Sequence, residues 1–378
     1  MKKTLFCASY GIDEIKAQER DDSVSGTAMT KYLVELLNQN EVSVQIVSAL
    51  KSKKNKFGYI KKYEKELSDI NSIIVSPALC IPGKIGKIFK NIYLNGWVFF
   101  YLIRHTKRGE KVFIYHNINK LIGYLLAKKV KKLKYCLFVG EIYHNISLHT
   151  KFQTKLENKM LYGAENYIFV SEELKKKIVQ GEKKSVVISG ILSDVPVYKG
   201  SFDDNRIHIV YAGIINKNKG AFTLCEVAEF LGDKYHIHIL GYGTDEDINL
   251  LKDKINSASG CKISYDGLLS GEEYQRFLQK CHIGICPQIT ESSYNVSSFP
   301  SKISVYLANN LRVIAPNIKS IKENKLGSCI YYYEEDTPKS IAEAIKKVDI
   351  NEEYNSRELV SKCHKEAIEE INKLLVED

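Results

Sequence analysis

The sequence predicts an α/β protein made of two doubly wound domains. Short apolar runs alternate with longer amphipathic stretches, the pattern of parallel strands crossed by helices. The alternation stops at a polar stretch past residue 195 and then restarts. At 378 residues the chain is about twice the usual domain length.

The strand candidates of the first half are Thr4–Ser9, Ser43–Val47, Ser72–Val75, Val112–Tyr115, Tyr135–Val139, Tyr167–Val170 and Val186–Ile188. Those of the second are His208–Tyr211, His236–Leu240, Lys262–Tyr265, Ile283–Cys286, Arg312–Ala315 and Cys329–Tyr332. Between them the 3.6-residue period predicts helices over Ala28–Leu37, Leu121–Lys129, Ala221–Leu231, Gly271–Lys280 and Ile303–Ala308. Gly190-Ile191-Leu192-Ser193-Asp194-Val195-Pro196 reads as a hinge, which puts the domains at 1–195 and 196–351. The charged stretch 352–378 reads as a last helix that joins the first domain.

Charge separates the halves. Residues 1–200 carry 34 Lys and Arg against 18 Asp and Glu, whereas the remainder carries 21 against 27. A basic first domain suits an anionic partner, with an anionic membrane surface and nucleic acid as the usual candidates. No helix-turn-helix or aromatic-interleaved RNA motif accompanies the charge, so nucleic acid is not expected. In Lys84–Lys111, Lys84, Lys87, Lys90, Arg104, Lys107 and Arg108 flank Ile92-Tyr93-Leu94 and Trp97–Ile103. That apolar core is too short to span a bilayer. It fits either a helix lying on an anionic leaflet or a buried helix with a solvated basic end.

Nine scattered cysteines, with no Cys-x-x-Cys pair, read as reduced core residues of a cytoplasmic protein, possible contact with the inner membrane face aside. The apolar run after Met1-Lys2-Lys3 is too short for a signal peptide and reads as the first buried strand.

Ligands of doubly wound sheets bind beyond the carboxyl ends of the strands. In the second half Gly213, the pair Gly241 and Gly243, and Gly267 each follow a strand candidate, where a missing Cβ lets backbone approach a phosphate or a base. Neither a Gly-x-Gly-x-x-Gly fingerprint nor a Walker loop is present, which argues against dehydrogenases and ATPases.

Ile209–Gly220, His238–Gly243, Ile263–Gly267 with the following Ser270–Tyr274, Cys281–Pro287 and, most specifically, Phe299–Ala315 together resemble glycosyltransferase family 4. The likeness covers about residues 205–316. It implies the GT-B fold, two Rossmann-like domains facing across a cleft, with the acceptor domain first and the nucleotide-sugar domain second. It also implies hexosyl transfer from a nucleoside-diphosphate sugar, UDP-sugars favoured, to a glycan, lipid-linked glycan or glycoprotein. Retention of configuration is implied, and no metal or other cofactor is expected.

Carried onto this sequence, the likeness places Gly213, Lys217, Lys219, Gly241, Gly243, Ser298, Ser301 and Lys302 around the donor, and Gly26 in an N-terminal glycine loop. The cations answer a physical need, since a leaving nucleoside diphosphate gathers negative charge on its β-phosphate. Glu291, four residues after Pro287, is placed on the donor sugar. His116, after a first-half strand, is placed on the reacting sugar, as polariser or general base, although a capping histidine fits the position equally well. Glu141 and His144 end the next strand and are expected near it.

Two positions depart from the pattern. Ile214 stands where the family has an arginine, and Val305 where it has the ribose-binding glutamate. A non-catalytic partner subunit that binds or stabilises an active glycosyltransferase is therefore the competing expectation.

Overall fold

In a computed structural model, which describes residues 2–145, 150–216, 220–287 and 299–376, the chain divides into two compact units. One comprises Met1–Ile188 and Glu366–Asp378, the other Ser189–Lys365.

The first unit runs β1 (Lys2–Ala8), α1 (Asp13–Lys16), α2 (Val24–Gln39), β2 (Val42–Ser48), β3 (Gly58–Ile60), β4 (Tyr63–Glu66), β5 (Asn71–Val75), β6 (Ala78–Cys80), α3 (Gly83–His105), β7 (Lys111–Tyr115), α4 (Leu121–Lys131), β8 (Lys134–Val139), α5 (Lys151–Tyr162), β9 (Asn166–Phe169), α6 (Glu172–Ile178) and β10 (Ser185–Val187). Its main sheet has the order β10-β9-β8-β7-β1-β2-β5-β4, parallel except for β4. The parallel strands are buried almost end to end, β9 throughout and β8 over five of six residues. Both faces are covered, and that explains why they read as unbroken apolar runs.

The second unit runs β11 (Ile207–Ile214), α7 (Thr223–Val227), β12 (Tyr235–Tyr242), α8 (Asp245–Ser257), β13 (Lys262–Gly267), α9 (Gly271–Lys280), β14 (Ile283–Ile285), α10 (Ser301–Ala308), β15 (Arg312–Pro316), α11 (Lys319–Lys322), β16 (Ile330–Tyr333) and α12 (Pro338–Lys346). Its all-parallel sheet has the order β13-β12-β11-β14-β15-β16. This is the doubly wound order that reverses between the first and fourth strands of the unit, β11 and β14. One face buries Ile209, Tyr211, Ile237 and Ile239 against Leu224 and Val227 of α7 and Ile341 and Ile345 of α12. Each full burial of this kind contributes about 1.5–3 kcal/mol.

A last helix, α13 (Ser356–Leu375), begins in the second unit and ends in the first. There Asn40 Nδ2 donates to the Ile368 carbonyl, and Lys111 Nζ and Asn166 Nδ2 donate to the Leu374 carbonyl.

Every strand of the two parallel sheets matches a candidate from the sequence within about three residues. The short β3, β4 and β6 were not expected. β4 reads Tyr-Glu-Lys-Glu and lies largely exposed on an antiparallel edge, so no apolar run marks it. The helix expected over Ala221–Leu231 is shorter: α7 stops at Val227 and a 3-10 turn, Ala228–Phe230, follows. The Ala228 carbonyl accepts from Cys261 N–H as well as Leu231 N–H, and Gly260 presses on it so closely that a Cβ would stand 2.0 Å away. A contact from a distant turn thus ends the helix.

The stretch expected as a hinge is fastened to the second unit. Gly190, at φ +92°, leaves room for Ser304, and Gln279 bonds both Tyr198 N–H and the Pro196 carbonyl. The nine cysteines form no disulfide, eight of them are buried, and burial pushes the Cys7 and Cys136 thiols up to about 12. Among the described residues no helix is long and apolar enough to cross a membrane.

Gly284 of β14 faces Tyr306 of α10, and a Cβ there would lie 2.5 Å from the ring. Gly284→Ala is expected to cost about 1–3 kcal/mol through overpacking. Urea unfolding checks this, and an unchanged midpoint refutes the contact.

Candidate functional site

In the second unit the carboxyl ends of β11 and β12 approach each other backbone to backbone. Gly213 pairs in register with Gly241. Gly241 sits at φ +142°, and a Cβ on it would stand 1.7 Å from the Gly213 carbonyl oxygen; one on Gly243 would stand 2.5 Å from that of Ile215. Only glycine fits at 241.

The strand order reverses between β11 and β14, and the loops after both meet there. Gly220, at φ +78°, lies against Pro287, whose carbonyl oxygen is 2.7 Å from where a Cβ would be. α10 starts at the same end. No described side chain caps its N-terminus; of its first-turn N–H groups, that of Ile303 donates to the Pro300 carbonyl at 3.0 Å.

Lys302, in the first turn of α10, reaches back across Gly213. A Cβ on Gly213 would fall 2.5 Å from Nζ, which stands 3.8 Å from the centre of the Tyr211 ring. Tyr306, one turn on, is fully buried, and its hydroxyl accepts from Ala212 N–H at 2.8 Å. The two side chains tie α10 to β11 on either side of the Gly213 gap. Ser301 is exposed beside them.

Three exposed apolar side chains, Ile214, Tyr242 and Leu268, mark the ends of β11, β12 and β13, and Ile214 pairs in register with Tyr242. Ile214 and Tyr242 form a ledge that the sequence did not suggest, because each looks like an ordinary strand-end residue. Lys217, Lys219, Glu291 and Ser298 lie outside the described residues. Asp245-Glu246-Asp247, an Asp-x-Asp triplet of the kind that can hold a metal, is the first turn of α8, with Asp247 N–H capped by Thr244 Oγ1 at 3.1 Å.

The first unit also reverses its strand order, between β1 and β7, and groups polar side chains there. His116, placed by the sequence on a reacting sugar, is instead buried at 1% exposure. Its Nδ1 lies 3.2 Å from the Glu141 carbonyl and its Nε2 3.5 Å from Oε1 of Glu157, itself fully buried. Glu157 also accepts from the N–H groups of Tyr143 and His144 and lies 2.7 Å from His144 Nδ1. Burial holds His116 below its usual titration range, outweighing the Glu157 charge. His116 is thus a packed, positioned side chain in this unit, with Glu141 touching it through its backbone. Gly26 sits in the first turn of α2, and its amide donates to the capping Ser23 hydroxyl.

Lys120 escaped the sequence reading. It is 2% exposed, and its Nζ donates to Ser9 Oγ, at the end of β1, at 2.6 Å. Asn117 Nδ2 reaches the same hydroxyl at 3.3 Å, and Lys51 joins the group by donating to Asn119 Oδ1. Burial brings the Lys120 ammonium down to about 7. In a chain with 55 Lys and Arg, nothing local marks one lysine as buried.

No family model matches the sequence, and no curated protein matches it either. Solved structures do. The fold is GT-B, shared with trehalose-6-phosphate synthase OtsA at 9% identity and a TM-score of 0.68, covering 99% of this chain and 98% of that one. An E. coli trehalose-6-phosphate structure bound with UDP-2-fluoro glucose matches at 9% identity, 99% and 98% coverage and a TM-score of 0.66. Anabaena Alr3699/HepE in complex with UDP matches at 12% identity, 99% and 98% coverage and a TM-score of 0.63.

Lys120 gives a prediction with a definite sign. Its folded value, about 7, lies below the ordinary 10.5. Between those values the unfolded chain binds more protons, so the lysine's destabilising cost is full below pH 7 and fades as pH rises towards 10. Lys120→Met is expected to raise Tm relative to the parent chain at pH 6, by a margin that shrinks at pH 9. A margin independent of pH refutes the depressed ammonium.

Proposed function

We propose that the protein is a glycosyltransferase that moves a sugar from a nucleoside-diphosphate sugar, UDP-sugars favoured, to a glycan, lipid-linked glycan or glycoprotein acceptor. The observation that carries this reading is Lys302, pinned across the Gly213 gap at the reversal of the second sheet. Its ammonium and the N-terminal end of the α10 dipole bring two sources of positive potential to one place, which suits the charge that grows on a departing diphosphate. The Ile214–Tyr242 ledge gives a base or ribose an apolar surface to lie on. Structures of the same fold with UDP or a UDP-sugar bound support the choice of donor.

In this reading the second unit takes the donor and the first takes the acceptor. No step is assigned to a metal, and retention of configuration follows only from the resemblance to family 4. Ile214 and Val305 favour one competing reading, a non-catalytic partner of an active enzyme, because neither offers the polar contact that the resemblance implies there.

The first test is thermal stabilisation by UDP, GDP, CMP and dTDP, then hydrolysis of the matching sugar. Stabilisation by UDP is expected, and none by any nucleotide refutes the donor site. Stabilisation without turnover favours the partner reading. Lys302→Ala is expected to weaken nucleotide binding by about 1–3 kcal/mol, the loss of a charged hydrogen bond. Unchanged affinity removes Lys302 from the site.

We further propose that the first unit rests on an anionic membrane surface through α3. Ile85, Ile88, Phe89 and Ile92 follow the i, i+3, i+4, i+7 rule and are each more than half exposed. Phe57 and Tyr59 are exposed too, and their segment meets α3 where Lys90 Nζ donates to the Ser52 and Lys54 carbonyls. Lys53, Lys54, Lys56, Lys84 and Lys87 surround this patch in sequence. An apolar stripe with a basic border suits an anionic leaflet. Sedimentation with vesicles containing phosphatidylserine is expected, and Ile88→Glu with Phe89→Glu is expected to abolish it. Equal binding by the double variant refutes the surface.

A further inference from the structure

At the opposite end of the second sheet from the glycine turns, one face of β11 and β12 carries three histidines. His208 pairs in register with His236, and His238 lies two residues further along β12, on the same face. All three are buried, and one ring nitrogen of each lies within 4.8 Å of the others. From His208 to Gly213 is five residues, about 16 Å along the strand, so this cluster is separate from the proposed donor site.

The outer nitrogens are each held by oxygen. His208 Nε2 lies 2.8 Å from Asp204 Oδ1 and His238 Nδ1 lies 3.1 Å from Asp266 Oδ2. His236 Nε2 lies 2.9 Å from Ser264 Oγ, a hydroxyl that itself donates to Asp266. An ionised carboxylate only accepts, so His208 Nε2 and His238 Nδ1 carry their N–H protons. In neutral imidazoles the remaining nitrogens, His208 Nδ1 and His238 Nε2, are then lone pairs, and they face each other at 2.9 Å. Two converging lone pairs require a cation between them. A proton would satisfy those two nitrogens and leave the third imidazole without a purpose in the cluster. A metal ion uses all three.

We propose that His208, His236 and His238 bind a divalent transition-metal ion of the zinc class. Imidazole is a preferred ligand of Zn2+, with Zn–N distances of about 2.0–2.1 Å, and tetrahedral geometry needs the two facing nitrogens to part by only about 0.4 Å. The surroundings supply what such sites need: each ligand's second nitrogen is oriented by a carboxylate or hydroxyl. Phe202 stacks on His208 and His238, with ring centres 4.0 and 4.8 Å away, and Phe277 meets His238 edge-on, which keeps the cluster dry. The ion ties β11 to β12 and, through Asp204 and Phe202, to the segment that leads into the sheet. Its role is structural, and it does not depend on the glycosyl-transfer reading.

The test is calorimetric titration of the chelator-stripped full chain with Zn2+, with Co2+ absorption as an optical report of the ligand field. Saturable binding of one ion per chain, with a Co2+ spectrum of low coordination number, is expected. His238→Gln is expected to remove it. Asp204 is 36% exposed on its side chain, so Asp204→Asn leaves the packed face intact; it is expected to weaken binding by about 10–100-fold, the usual effect of losing an orienting carboxylate. No saturable binding by the folded chain overturns the proposal, as does the same affinity in the parent and in Asp204→Asn. Should His238→Gln fail to fold, the Asp204→Asn comparison decides alone.

Discussion

The close approach of β11 and β12 at Gly213 and Gly241 is the contact on which the second unit's working end depends. A Cβ at 241 would stand 1.7 Å from a neighbouring carbonyl oxygen, so the two strands end with bare backbone on this side. Bare backbone leaves the space into which Lys302 reaches, and Tyr306 fixes α10 by accepting the Ala212 amide. The amide at 212 would otherwise be a buried donor, costing about 1–3 kcal/mol unpaired. Strand glycine, helix lysine and helix tyrosine are therefore parts of one arrangement that holds a cation at the start of α10, at the reversal of the sheet.

The first unit solves a different problem. Its strand ends carry ionisable groups deep in the fold, where charge is costly unless partnered. Glu157 is accommodated because two backbone N–H groups and His144 surround its carboxylate. Lys120 is buried with a hydroxyl as its hydrogen-bond partner, and burial depresses its ammonium to about 7.

How much of this was legible in the sequence follows from what each signal measures. Strands buried on both faces are largely apolar, which made most of the thirteen parallel strands readable; β13 is a partly buried edge, and the charged edge β4 was not read. The end of α7 is set by Gly260, more than thirty residues away, and no local pattern contains that contact. His116 was rightly placed at a strand end, yet its orientation is decided by Glu157 on α5, and a residue's position on a strand says nothing of the helix that packs on it. Lys302 stood out because the segment Phe299–Ala315 around it resembles family 4. Lys120 did not, since burial of a lysine is a tertiary event.

The departures at Ile214 and Val305 bear on how a nucleotide could be held. An arginine and a glutamate at those places would define the donor by charge and by ribose hydroxyls; an isoleucine and a valine leave apolar surface. Ile214 is exposed in register with Tyr242, so it adds apolar surface at the strand ends. Binding in the proposed site would then draw on the diphosphate near Lys302 for orientation and on apolar contact for the base, with each buried CH2 worth about 0.8 kcal/mol. A ledge discriminates among bases less sharply than paired hydrogen bonds do. In the proposed reading, selectivity between UDP and other nucleotides would therefore fall to the polar residues that follow β11 and β14 in sequence, Lys217, Lys219 and Glu291 among them.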